Sequence, residues 1–192
     1  MNGDAIQLVS QALRDRLSAA FRAQGIPGDI YVGPLDDRDA EGAAAVLFLY
    51  RVAVTADLRN SAHIIQPPGG NPPTIVYDTA LPLDLYYLLT ARTSQSGREL
   101  DALRVLGFAM QALNDAPDLV GLPVQGDTVR LSLDPISSEE MSRIWTLFPT
   151  TNYRTSVVYL VSPVWIDPAA GPAAAAPVVS EAYRAAPAGP GD

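Results

Sequence analysis

Few side chains in this sequence could carry out chemistry, and they do not form a catalytic set. His63 is the single histidine, and the chain contains no cysteine and no lysine. It therefore has no thiolate nucleophile, no zinc–thiolate site and no lysine for a phosphate-binding loop or a Schiff base. His63 also lacks a second histidine or cysteine that would complete a metal or nucleophile set. We expect it to be a surface or packed histidine, and we expect no enzyme activity.

Two short motifs resemble ligand sites without meeting their requirements. The acidic run at 36–41 could bind a hard cation, but it lacks the glycine and the terminal glutamate of an EF-hand loop. The Gly69-Gly70 pair is flanked by prolines, whereas a phosphate cradle needs free amide donors at the start of a helix. The sequence therefore predicts a solvated acidic loop, no metal site and no bound cofactor.

Composition and charge exclude two further classes of partner. The chain has 192 residues, with 13 basic side chains against 21 acidic ones, giving a net charge of −8. A nucleic-acid partner is not expected, because such binding requires a basic surface. The longest apolar run, 43–50, is far shorter than the roughly 18 residues of a membrane helix, so we expect no membrane insertion. The first residues lack a basic, then apolar, signal segment, which favours a cytoplasmic protein.

The elements needed to position any site are predicted by periodicity and capping. Apolar residues recur at helical spacing from Asp4 to Gln24, with Asp4 placed to cap the first turn. Capping boxes at Ser96–Glu99 and Ser137–Glu140 open a second main helix and a short third one. Strands are predicted at 29–33, 44–58, 74–78, 81–91, 129–133 and 153–167.

These elements predict an α/β (α+β) domain with a single mixed, mostly antiparallel sheet flanked by two main helices. We expect the domain to cover residues 1–167, with Pro163 marking a bulge or an edge. A Pro- and Gly-rich loop at 66–73 should protrude. Residues 168–192 are rich in Ala, Pro and Gly and predict a flexible tail, with 178–184 as its candidate docking patch.

Three stretches together resemble a known family. They are LPLDLYYLLTA at 81–91, ELDALRVLGFAMQALNDAP at 99–117, and the segment at 131–167 that contains EEMSRIW and YRTSVVYLVSPVWID. In content and order they are similar to the N-terminal domain of tail-terminator, or cap, proteins of extracellular contractile injection systems. These phage-tail-like particles are typified by the antifeeding prophage and the Photorhabdus virulence cassette. The resemblance spans most of residues 4–167, and none of its motifs is a catalytic signature.

The resemblance implies a phage tail-terminator-like fold and a structural role. Such a protein forms a homohexameric ring at the tail end distal to the baseplate, where it contacts sheath and inner-tube proteins. The ring ends their polymerisation, anchors sheath to tube and needs no cofactor. The protein would then be cytoplasmic as a component of an assembled particle.

Two functions other than a cap are also compatible with the sequence. An assembly chaperone or adaptor for another particle component is the main alternative, and a small hydrolase built on Asp or Ser is a third.

Since sheath subunits in such particles exchange strands, we expect an exposed sheet edge that accepts a sheath arm. The strand from Tyr153 to Val161 is the candidate edge. Its predicted interface residues are Tyr153, Arg154, Val157, Val158, Tyr159 and Val161.

Overall fold

The computed structural model describes residues 1–65, 74–92 and 99–171. The 66–73 loop, residues 96–98 of the first capping box and residues 172–192 of the expected tail lie outside the described residues, as does the 178–184 docking patch. The division into a domain at 1–167 and a tail at 168–192 stays a prediction.

A six-stranded sheet in the order β1-β2-β5-β8-β7-β6 forms the centre of the fold, and β3 and β4 pair separately. β1 and β2 are parallel, and every other neighbouring pair is antiparallel. The predicted mixed, mostly antiparallel architecture is confirmed, with a two-stranded second sheet that the sequence did not indicate. The strands are β1 (Ile30–Val32), β2 (Ala45–Val54), β3 (His63–Ile65), β4 (Ile75–Tyr77), β5 (Leu81–Ala91), β6 (Asp118–Val120), β7 (Thr128–Leu133) and β8 (Ser156–Ile166).

Strand β5 lies in the middle of the large sheet, between β2 and β8. Its bounds match the prediction, and apart from exposed Leu81 most of its apolar residues are buried, on both faces, as a strand covered on both sides requires. Tyr87 is fully buried, and its hydroxyl lies 2.8 Å from the Ser10 hydroxyl. Burial raises the pKa of Tyr87 to about 12, so its phenol stays neutral and fixes β5 to the first helix.

Two helices, α1 (Ala5–Ala23) and α2 (Glu99–Asp115), cover one face of the sheet. The buried positions of α1 recur at four-residue spacing, which places them on a single stripe facing the strands. Asp4 does occupy the N-cap position, but its side chain makes no capping hydrogen bond. Its carboxylate instead accepts a hydrogen bond of 3.2 Å from the Asn2 side chain.

The short helix α3 (Ser138–Trp145) packs on the opposite face. Its predicted capping box is present: the Glu140 amide donates to Ser137 Oγ at 3.2 Å, and the Ser137 amide donates to Glu140 Oε2 at 2.9 Å. Buried residues from α3, the strands and the loop after β1 form the second core. They are Leu35, Ala40, Val46, Leu88, Ile144, Trp145, Phe148 and Val158.

The expected strand at 44–58 is wrong beyond Val54, because residues Ala56–Leu58 form a 3₁₀ turn. The sequence also missed β3 and β6, which are too short to show alternation. Pro163 does mark a bulge. Leu83 pairs with Val164 and Leu85 with Val161, so one residue of β5 lies opposite two of β8.

Candidate partner interface

The strand predicted to be an exposed edge lies inside the sheet. β8 pairs with β5 along most of its length and with β7 on its other side, from Tyr159 to Ser162. Beyond that register, the Asp134 amide still donates to the Val158 carbonyl at 2.9 Å. The prediction of an open edge from Tyr153 to Val161 is therefore wrong from Val158 onward, since a late position in the sequence does not determine which neighbours a strand receives. Residues 153–155 precede the strand.

The six predicted interface residues divide into buried and accessible ones. Val158, Tyr159 and Val161 are buried in the two cores, so their side chains do not face a partner. Val157 is half-buried. Tyr153 and Arg154 precede the strand.

Tyr153 is 65% exposed, and its ring lies 5.2 Å from that of Trp145. The Nε atom of Arg154 is buried and has no hydrogen-bond partner within the described residues. The Arg154 charge also helps to lower the pKa of Arg92, after the larger effect of that side chain's own burial. Contact of Tyr153 or Arg154 with a partner stays a prediction.

The open edge belongs to β2. β1 pairs with only the first part of this strand, from Ala45 to Leu47. From Phe48 to Val54, β2 pairs with β5 on one side and has no strand on the other among the described residues. At about 3.3 Å per residue this edge is roughly 23 Å long, enough for one added strand.

Backbone polarity at this edge follows from the β2–β5 register. The Thr55 amide donates to the Pro82 carbonyl at 3.0 Å and so points toward β5. Because successive residues of a strand alternate in direction, the amides of Val54 and Val52 point away from β5, into the open side. A peptide in extended conformation could pair with these groups, which is the chemistry of β-augmentation.

The side chains along the β2 edge are apolar and aromatic. Val52 and Val54 are each 46% exposed and share one face of the strand. On the other face, the Arg51 guanidinium lies 4.7 Å from the centre of the Tyr86 ring. Burial and the nearby Asp134 carboxylate raise the pKa of the neighbouring Tyr50 to about 12. Apart from Arg51 and a register shift between Leu49 and Arg51, this edge lacks the lysines and prolines that usually block strand addition.

The far end of the sheet carries a shorter open edge. β6 covers β7 only from Thr128 to Arg130, so Leu133 has no strand on its outer side among the described residues. Leu133 is 51% exposed, and at the other end of β7, on β6 and in the turn after it, Val120 and Leu122 are 57% and 94% exposed. The sheet thus presents apolar residues at both ends, with the longer open backbone on β2.

The residues considered for chemistry lie elsewhere. His63 is 3% exposed and packed, as expected, and its nitrogens contact Asp127 and Asp167. Asp37 caps a 3₁₀ turn within the mostly exposed acidic run and accepts a 2.6 Å hydrogen bond from Tyr31, which lowers the pKa of Asp37.

Within residues 1–65, 74–92 and 99–171, no group of three or more potential ligands could hold a metal ion. No helix in that part of the chain is long and apolar enough to cross a membrane.

Comparison with solved structures finds this fold in two particle components. The chain matches the sheath/tube terminator, in the extended state, of PVC, an extracellular contractile injection system. The TM-score is 0.54 and the identity 18%, over 93% of this chain and 63% of that one. It also matches the anti-feeding prophage cap, a tube-terminating cap, with a TM-score of 0.60 and 20% identity over 92% of this chain and 60% of that one.

The chain therefore spans less than two thirds of the length of the structures it matches. No curated protein sequence matches it. Both matched structures are described as terminators or caps and not as enzymes. A family model, described as the Pvc16 N-terminal domain, matches residues 8–180. This match covers most of the sequence, and the chain belongs to the Pvc16 N-terminal domain family.

Proposed function

We propose that this protein is a structural cap of a contractile injection system. In this proposal it forms a hexameric ring that ends inner-tube and sheath polymerisation at the baseplate-distal end and anchors sheath to tube. The observation that carries the proposal is the fold shared with a sheath/tube terminator and a tube-terminating cap over more than nine tenths of the chain. Assembly takes place in the cytoplasm of the producing cell and uses shape and backbone pairing, without a cofactor.

The arrangement of the sheet supports a ring. A closed ring of six copies joins two unlike surfaces of neighbouring protomers, because each contact is head to tail. The sheet has exposed apolar residues at both ends, and the β6–β7 end, with Leu122 at its turn and Leu133 at the end of β7, is left for the neighbouring protomer because the β2 edge is assigned to sheath below. Exposed apolar side chains at both ends are the kind of surface that protein partners bury.

The β2 edge supports the contact with sheath. We assign the sheath-arm role, first expected for β8, to the edge from Phe48 to Val54, because β2 has the longer unpaired side among the described residues. An extended arm would gain backbone hydrogen bonds there and place alternate side chains beside Val52 and Val54.

Electron microscopy of particles from producers with and without the reading frame tests the cap function. Loss of the protein should give tails of irregular length or with an open distal end. Restoring the wild-type frame should return uniform, capped particles. Uniform capped particles without the frame would contradict the cap function.

Complementation with edge variants tests the contact separately. Val52→Pro removes an outward-pointing amide, and we expect it to leave the distal sheath unattached. Val52→Thr is the matched control, because it keeps the amide and the branched side chain, and it should restore capped particles. Normal caps with Val52→Pro would contradict the sheath contact at β2 while leaving the cap function standing.

An assembly chaperone or adaptor is the competing function. It would leave the particle before maturation, whereas a cap stays in it. Quantitative mass spectrometry of purified particles separates the two. Six copies per particle support the cap, and presence in the lysate alone supports the chaperone.

A further inference from the structure

A buried charge cluster joins four distant parts of the chain. His63 opens β3, Asp127 precedes β7, Asp167 follows β8, and the Met1 amino group lies before α1. His63 Nδ1 lies 2.6 Å from Asp167 Oδ1, and His63 Nε2 lies 2.8 Å from Asp127 Oδ1. The Met1 nitrogen lies 2.5 Å from Asp167 Oδ2 and 3.3 Å from Asp127 Oδ2. All of these side chains are less than 10% exposed.

The geometry favours the protonated form of His63. Ionised carboxylates only accept hydrogen bonds, so both ring nitrogens must donate, and only the imidazolium can do so. The cluster then holds two positive groups, the imidazolium and the amino group, against two carboxylates. Loss of the His63 proton would leave one excess negative charge in a buried place and turn a nitrogen lone pair toward a carboxylate oxygen.

The aromatic neighbours hold the imidazole in this position. The Trp165 ring is stacked on His63 at 4.8 Å with an angle of 7° between the planes, and the Tyr77 ring lies at 6.0 Å. Tyr77 on β4, Asp127 before β7, Asp167 after β8 and the Met1 amino group are the titratable groups that surround His63 among the described residues.

His63 is the most buried residue of the β3–β4 hairpin. Among its six paired residues, His63 is buried, while Ile64 is exposed and the other four are half-buried. A two-stranded sheet is marginally stable alone in water, so its contacts with the rest of the protein decide whether it stays in place. The buried contacts of the hairpin with the rest of the protein include those of His63 with Asp127 and Asp167.

We propose that His63, Asp127 and Asp167 form a pH-dependent clasp, which anchors the β3–β4 hairpin to the ends of β7 and β8 while the imidazole is protonated and releases it when the proton is lost. This inference concerns the fold of the isolated chain and stands apart from the cap function.

The direction of the pH dependence follows from the two states of His63. Burial alone would lower the pKa of His63, but the hydrogen bonds and charges of Asp127 and Asp167 outweigh it, so the pKa is raised. A raised pKa means that the clasp is fully formed below the unfolded value of about 6.5 and is lost as the pH rises through the higher folded value. Between these two values, release should increase by up to about tenfold per pH unit.

Nitrogen NMR of untagged protein tests the clasp directly. His63 is the only histidine in the chain, so ¹⁵N-histidine labelling gives one pair of ring signals with no assignment to resolve. We expect both nitrogens to be protonated at pH 6 and the titration midpoint to lie above about 6.5. A neutral imidazole at pH 6 would overturn the proposal.

Hydrogen exchange tests the consequence for the hairpin. After correction for intrinsic rates, the amides that are hydrogen-bonded between β3 and β4 should lose protection as the pH passes the His63 midpoint, while β5 amides stay protected. His63→Gln should give low protection in the hairpin at every pH, and Asp127→Asn should lower the His63 midpoint. Hairpin protection that is unchanged up to pH 9 in the wild type would also overturn the proposal.

Discussion

Strands β2 and β8 flank the same central strand and yet differ in their outer sides. Both are long, apolar and antiparallel to β5. β8 pairs with β7 from Tyr159 to Ser162, whereas β2 pairs with β1 only from Ala45 to Leu47. On the faces of the sheet, Val158 of β8 is 2% exposed and Val52 of β2 is 46% exposed. The difference comes from a third strand that is distant in sequence. The residues of a strand therefore predict whether its faces are buried. They do not predict as clearly whether the strand lies at an edge of the sheet.

The largest effect on folding should come from proline at the interior strand. Val158→Pro would remove a buried side chain from the second core and place a ring in β8 beside Asp134, whose amide donates to the Val158 carbonyl just beyond the β7 register. We expect a loss of about 3 kcal/mol or more in the free energy of unfolding, measured by denaturant titration with circular dichroism. A variant with wild-type stability would mean that β8 lies at an edge in solution.

Shortening the matched valines should give a smaller contrast. Val158→Ala removes buried methyl groups and should lower the free energy of unfolding by about 2 kcal/mol. Val52→Ala removes exposed methyl groups and should change it by no more than about 0.5 kcal/mol. The same denaturant titration measures both. Equal losses would show that the face of β2 that carries Val52 is covered in the isolated protein.

Local signals predicted the elements that are long or capped. The bounds of β5, the four-residue apolar spacing of α1 and the Ser137 capping box all follow from neighbouring residues. The strand order could not be predicted, because pairing between strands depends on contacts across the chain. The three-residue strand β6, too short to alternate, also gave no signal.

The candidate sites show the same limit. His63 was expected to be a surface or packed histidine, and it is packed, but its partners lie 64 and 104 residues away, where no sequence spacing could connect them. The β2 edge did carry a local sign, since polar Arg51 interrupts the apolar run. Pro163 was predicted to mark either a bulge or an edge strand, and it lies at a bulge in an interior strand. A proline alone therefore does not distinguish a bulge from an edge strand.

Proline at the open edge should have only a small effect on folding, and a neighbouring residue provides the control. The Val52 amide points away from β5, so Val52→Pro keeps the β2–β5 ladder and should cost less than about 1 kcal/mol. By the same alternation the Ala53 amide points toward β5, and Ala53→Pro should be clearly more destabilising, because it removes a ladder hydrogen bond. Denaturant titration of the two purified variants measures the difference. If both prolines destabilise the protein equally, another segment occupies the outer side of β2, and that edge is not free to receive a partner strand.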